Sequence, residues 1–250
     1  MNTPIALQLY SVREELERDL EGTLEKIAAM GYTAVETGAF AGDARRQAEL
    51  FDGLGLHVVA AHVKPPIGEE KERSFDFVAA LGTNRLVVPW LKPEQYYQSM
   101  DGVLQAADLL NEAAQATRDQ GLLFHYHNHD FEFANINGRL AFDVLQEKLD
   151  PSILFEIDSY WVETADSDVA DLLRRLGQRA PLLHIKDGPL DREAPMVAVG
   201  DGQMVFENVI AAGEPHTQWL IVELDRCAGI MMDAVARSYT YLSKFNSAAE

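Results

Sequence analysis

Three ionisable residues stand inside otherwise apolar runs: Asp158 closes ILFEID, His184 interrupts PLLHIKD, and Glu223 interrupts WLIVELD. A carboxylate or imidazole in an apolar strand interior costs several kcal/mol unless something neutralises it, and several aimed at one axis repel unless a cation sits between them. A shared divalent metal resolves both problems. Mixed carboxylate and imidazole donors suit Mn²⁺, Mg²⁺, Co²⁺ or Zn²⁺ alike. Each residue also has a plainer explanation: Asp158 capping a loop, His184 bonded to a backbone carbonyl, Glu223 paired with Arg226. Ion pairs and caps outnumber metal ligands, so what favours a metal is the grouping of the three on consecutive runs.

A second concentration of chemistry is FHYHNHDFEF, residues 124–133, which holds three of the seven histidines at alternate positions, followed by Asp130 and Glu132. If a strand continues through the segment, His125, His127 and His129 share one face. Three imidazoles are a poor filling for a core of Val, Ile and Leu, so they are expected to line a pocket. His127 and His129 are placed to bind hydroxyls or move protons, and His125, deeper in the strand, is expected to be structural. Lys186, two residues after His184 and on its face, is a candidate to stabilise a developing oxyanion or to pair with Asp158, Asp187 or Glu223. Glu36 and His62 end their runs as substrate-contact or loop-holding candidates, and Trp90, Tyr160 and Trp161 offer flat apolar faces on which a ligand ring could stack.

These residues need elements to position them. Eight short apolar runs recur, at 5–10, 33–38, 57–63, 85–91, 122–127, 153–158, 182–187 and 219–224. Their near-continuous apolar character suits parallel strands buried on both faces, and segments with helical spacing lie between them. In residues 11–32, Leu16, Leu20, Leu24 and Ile27 form one stripe, Ser11 and Glu14 suit a capping box, and Gly31 suits the helix end. Gly55, Gly82, Gly121 and Gly177 fall where further helices need left-handed caps. Strand and helix alternate eight times without a linker, which predicts a single α/β domain over residues 1–250, a (β/α)₈ TIM barrel with its chemistry at the C-terminal ends of the strands. The tail at 247–250 is expected to fray.

Composition narrows the partners. With 21 Lys+Arg against 40 Asp+Glu the formal charge is −19, which opposes nucleic acid and anionic membranes as general partners. The one cysteine, Cys227, excludes an internal disulfide and has no adjacent histidine to activate it. The first residues lack a signal-like pattern, and no apolar run approaches the length of about 18 residues that a membrane span needs. A soluble cytoplasmic protein is expected, with homo-oligomerisation left open. GDG at 200–202 is a turn, not a dinucleotide fingerprint, and Walker A, G-x-S-x-G and CxxC motifs are missing.

IDSYWV, HIKDG, the GDGQMVF turn and IVELD resemble the xylose-isomerase-like sugar isomerase and epimerase superfamily, and HNHDFEF resembles the fifth-strand signature of one bacterial branch. The order and spacing, 26 residues from Asp158 to His184 and 39 from there to Glu223, carry the resemblance along the whole chain. It implies one divalent metal held by a Glu, an Asp, a His and a Glu from strands 5 to 8, hence Asp158, His184 and Glu223. In the better-known epimerases the first ligand is a Glu three residues before an Asn. Aligning that Asn with Asn128 puts His125 there, so the strand 5 donor is either Glu132 reaching back or a nitrogen of His125 or His127. Glu132 is favoured because it keeps the family's donor set. The resemblance implies a metal-dependent isomerase or epimerase acting on a keto sugar or related polyol by proton abstraction next to a metal-bound carbonyl, with Glu132 and Glu223 as bases. It also implies alternatives: β-elimination or dehydration on 3-keto sugars or glycosides, an endonuclease IV-like phosphodiesterase, or a non-catalytic sugar-binding barrel. No cluster of Arg, Lys or Ser after strands 7 and 8 marks a phosphate site, so a small unphosphorylated sugar is the expected ligand.

Overall fold

A computed structural model of the protein describes residues 3–247. Eight parallel strands close into a barrel: β1 (Ile5–Gln8), β2 (Ala34–Gly38), β3 (His57–His62), β4 (Arg85–Val88), β5 (Leu123–His127), β6 (Leu154–Asp158), β7 (Leu182–Ile185) and β8 (Trp219–Val222). Each pairs with its sequence neighbours, and β8 closes on β1 through Ile5 with Leu220 and Leu7 with Val222. The expected single barrel is therefore the observed architecture. The strands are shorter than the apolar runs because the last residues of several runs, Lys186 and Glu223 among them, leave the ladder as the loops begin.

The barrel sorts its residues by parity. Outward positions such as Leu7, Val35, Ala61, Leu86, Phe124, Tyr126, Phe155 and Leu183 join one large core beneath the helices. Inward positions Ala6, Ala34, Ala60, Val87, Leu182 and Ile221 form a separate small cluster that plugs the lower barrel. One step further along, the inward positions become Gln8, Glu36, His62, His127, His184 and Glu223, all but His62 fully or nearly fully buried. The floor is apolar and the next layer is ionisable, so this layer fixes where chemistry can occur.

The first connection departs from the expected single helix. Residues 9–12 form a 3₁₀ turn, α1 spans Arg13–Arg18, and α2 spans Leu20–Ala29 after a break at Asp19. Asp19 has extended geometry (φ −156°, ψ 88°) and its side chain accepts from the Gly22 N–H, so Asp19, not Ser11, caps the helix carrying Leu24 and Ile27. Gly55 and Gly82 end their helices in the left-handed region. The tail expected to fray lies, from residue 248, outside the described residues. Among the described residues no helix is long and apolar enough to cross a membrane.

Candidate active site

A cavity of about 650 Å³ opens at the C-terminal mouth. Its lining combines the ionisable His62, Lys64, His127, His129, Glu223 and Asp225 with the apolar Tyr10, Phe40, Pro89 and Trp90. Another cavity, of about 680 Å³, is bordered by Glu163, Asp168, Arg174 and Asn208, away from the buried ionisable layer. The mouth cavity is the one that the strand ends supply.

Asp158, the last residue of β6, sits in register with His184 of β7. Its Oδ1 accepts from the Trp161 N–H and caps the short helix Ser159–Thr164, so the capping role expected as the plain explanation exists. Its Oδ2 remains for the site, 2.8 Å from Lys186 Nζ and 3.9 Å from His127 Nε2. His184 Nδ1 lies 2.8 Å from Glu223 Oε2. Donor atoms from His127, Asp158, His184 and Glu223 all fall within 4.8 Å of one another, and all four residues are buried. Two imidazoles and two carboxylates converging in a buried site form a donor set that fits a first-row divalent cation. His127 Nδ1, 3.0 Å from Glu156 Oε2 but without hydrogen-bond geometry, adds an unsatisfied buried nitrogen.

Lys186 adopts the ion-paired arrangement. Its Nζ is fully buried, 2.8 Å from Asp158 Oδ2, 2.8 Å from Glu223 Oε2 and 2.9 Å from Asp225 Oδ2. Burial alone would lower this ammonium, but Asp158, Asp225 and Glu223 together raise it well above its ordinary value. Asp225 is the partly exposed third partner. Asp187, the remaining partner considered for it, instead accepts from the N–H groups of Gly188, Gly200, Gly202 and Met204, tying the 188–204 loop over the barrel. Trp161 has its ring centroid 5.5 Å from Lys186 Nζ, and it is not among the cavity-lining residues.

On the fifth strand the structure brings His127, one of the alternatives to Glu132, to the cluster. Glu132 is fully buried, but its Oε1 accepts from Tyr126 O–H at 2.6 Å and its Oε2 from the His129 N–H at 2.8 Å. It is not brought to the cluster; His127 takes the strand 5 position there. The physical reason is a 3₁₀ turn at Phe131–Phe133 that folds Glu132 back against the outward-facing Tyr126, whose hydroxyl lies 2.6 Å from that of Tyr97. Burial pushes the Glu132 carboxyl up to about 8. The strand also stops at His127, so His129 does not continue the ladder; its ring still meets that of His127 edge-on, 5.0 Å between centroids, and reaches the cavity. His125 is fully buried below, and burial pushes it down to about 4.

Burial, reinforced by neighbouring cations, holds His127 well below its ordinary value and His129 at about 3, so both rings are neutral at physiological pH. Burial raises Asp158 to about 6 against the opposing pull of Lys186, whereas for Glu223 Lys186 and His184 outweigh burial and hold the carboxyl low.

Glu36 does not line the cavity. It is fully buried, where it accepts from Gln8 Nε2 at 2.7 Å and lies 2.7 Å from His184 Nε2. Glu156, unselected from the sequence, joins it: its Oε2 lies 2.9 Å from His62 Nε2 and 3.1 Å from His184 Nε2. Its position two residues before Asp158 on the same inward face was the signal available for it.

An eight-stranded parallel barrel with buried imidazoles and carboxylates at its C-terminal mouth defines a class of fold and site. The chain belongs to the xylose isomerase-like TIM barrel family, whose model matches residues 24–226. It is similar to a solved sugar phosphate isomerase/epimerase from Parabacteroides distasonis, with 25% identity and a TM-score of 0.80 over 97% of this chain and 94% of that one. It is similar in fold to a D-allulose 3-epimerase from Methylomonas sp., with 13% identity and a TM-score of 0.70 over 98% and 99% of the two chains. A third similar structure is the IOLI protein with a bound zinc atom, at 14% identity and a TM-score of 0.69 over 99% of each chain. No curated protein matches the sequence significantly.

Proposed function

We propose that the protein is a divalent-metal-dependent isomerase or epimerase of an unphosphorylated keto sugar or related polyol. The observation that carries this reading is the convergence of His127, Asp158, His184 and Glu223 at the base of the mouth cavity. These four residues would hold the cation, which supplies a Lewis acid able to polarise a carbonyl and favour loss of the neighbouring proton. Glu223, at the cavity wall and held in its carboxylate form, is the group that takes the proton. On another face His129, neutral and outside the four-donor group, has one N–H and one lone pair, so it can pass its proton towards the carbon while taking one from water, the task expected of Glu132. Lys186, paired with Asp225, balances charge beside the reacting oxygens. The similar sugar isomerases and epimerases favour this reading, and the charge of −19 weighs against a phosphodiesterase acting on nucleic acid.

β-Elimination from a 3-keto glycoside begins with the same proton and is the second reading. It is favoured by the aromatic half of the mouth: Tyr10, Phe40 and Trp90 are 39%, 42% and 46% exposed, a surface suited to a departing ring. The deciding experiment follows deuterium uptake by NMR in D₂O, screening keto sugars and 3-keto glycosides with metal-stripped and Mn²⁺-reloaded protein. The expected result is exchange beside the carbonyl that depends on metal and is lost in Glu223→Gln. Exchange that persists in Glu223→Gln, or that needs no metal, refutes the proposal.

A further inference from the structure

Beside the His127, Asp158, His184 and Glu223 group lies a second cluster, of which the proposed reaction uses only the shared His184. Glu36 ends β2, His62 ends β3, Glu156 precedes Asp158 on β6, and His184 stands between the two clusters. Glu36 Oε2 is 3.1 Å from His62 Nε2 and 2.7 Å from His184 Nε2, and Glu156 Oε2 is 2.9 and 3.1 Å from the same two nitrogens. We infer that Glu36, His62 and Glu156 hold a second divalent cation beside the first, separated from it by the ring of His184.

Hydrogen bonding alone leaves this cluster unsatisfied. Each Nε2 carries at most one proton, so two protons serve four close nitrogen–oxygen contacts. The second oxygens, Glu36 Oε1 and Glu156 Oε1, are buried without any hydrogen-bond partner. Buried unpaired carboxylate oxygens are among the most expensive polar groups to leave unmet. A tetrahedral ion with bonds of about 2.0–2.2 Å has edges of roughly 3.3–3.6 Å, so the donors need open by only a few tenths of an ångström.

Charge points the same way. Glu36, Glu156, Asp158 and Glu223 contribute −4, all of them buried, while Lys186 and Asp225 cancel. One divalent ion leaves −4 + 2 = −2, and a protonated His62 would recover only one of those charges. Two ions give −4 + 4 = 0 with every imidazole neutral. His184 cannot serve both, because a neutral imidazole has one lone pair. Its Nδ1, beside Glu223, belongs to the first ion, and its Nε2–H donates to the carboxylates of Glu36 and Glu156. That leaves Glu36, His62 and Glu156 as three protein ligands with a fourth position open, a common pattern for a divalent ion.

The test is stoichiometry in the full-length protein. Metal-stripped protein is dialysed against Zn²⁺ or Mn²⁺, and bound metal per chain is measured by mass spectrometry, with circular dichroism checking the fold. Wild type is expected to bind two equivalents, His62→Gln and Glu36→Gln one, and Glu223→Gln one. With Mn²⁺, wild type should give an exchange- or dipole-broadened electron paramagnetic resonance spectrum, and each variant the spectrum of an isolated ion. A second ion retained in Glu223→Gln but lost in Glu36→Gln would support the inference even if the proposed reaction failed. A single equivalent in wild type overturns it, as does Glu36→Gln that still binds two; a 10- to 100-fold loss of affinity for one ion would instead make Glu36 an orienting partner of His184. Should the variants not fold, a wild-type spectrum of isolated Mn²⁺ at saturation is sufficient to refute it.

Discussion

Replacing Glu132 by Gln separates a buried acid from a metal ligand. The Gln carbonyl can keep the His129 N–H bond, and its amide can donate to the Tyr126 oxygen, which then donates its own proton towards Tyr97, so geometry is preserved and only the ionisable proton is lost. Burial lifts the folded Glu132 from 4.5 to about 8. The unfolded chain releases this proton near pH 4.5 while the folded chain retains it, so wild-type stability falls as pH rises between those values and levels off above about 8. At 1.36 kcal/mol per unit, the interval of 8 − 4.5 = 3.5 units amounts to at most about 5 kcal/mol, less whatever water entering on ionisation recovers. Other titrating groups are common to both proteins and cancel in the difference. Urea unfolding of metal-stripped wild type and Glu132→Gln is therefore expected to show similar midpoints at pH 5 and a variant gaining about 2–5 kcal/mol relative to wild type by pH 8.5. A difference that stays flat from pH 5 to 9 refutes the reasoning, because it means that Glu132 is ionised throughout and must be paired with a cation.

Gly202→Ala should be destabilising by about 2–4 kcal/mol, read as a lower thermal midpoint, because a Cβ there would clash with Asp187 Oδ1 and the Gly188 nitrogen, breaking the cage that holds the 188–204 loop. Unchanged stability would show that Asp187 does not anchor the loop. Stripping divalent ions should lower the thermal midpoint and Mn²⁺ should restore it; at 100 times the dissociation constant the gain is about 2.7 kcal/mol, or roughly 5–10 °C for a chain of this size, and a midpoint indifferent to metal would argue against a buried ion. Trp90→Ala should raise KM for a productive substrate about 10-fold with little change in kcat, since the ring sits at the rim and away from the ionisable groups; a fall in kcat alone would assign it a different role.

How far the sequence reveals this site follows from where each residue lies relative to the strands. Within a strand the side-chain period is two, so Asp158, His184 and Glu223 could be assigned to one face from apolar neighbours that must face outward, and the barrel then brings them together. The same parity pairs Glu156 with Asp158 and puts Glu36 and His62 in the same layer, yet charge in an apolar strand does not say which of two inward carboxylates points up to the cavity and which points down. That depends on the shear of the barrel, which sets His127 beside Glu156 but Asp158 beside His184. Past the strand ends the period is lost. Glu132 lies only five residues beyond His127, and a single turn of 3₁₀ helix sends it outward to Tyr126 instead of inward to the cluster, an outcome decided by a tyrosine pair on the far side of the sheet. Asp19 is a similar case, where a local cap ends one helix and begins another within a stripe of leucines that reads as continuous. Residues on the ladder are therefore placed by the fold class, whereas those one turn beyond it are placed by their own hydrogen bonds. On this argument His127, the last residue on its ladder, is the strand 5 residue to alter first: metal affinity should fall in His127→Ala and stay nearly unchanged in Glu132→Gln, and the reverse order would restore Glu132 as the donor.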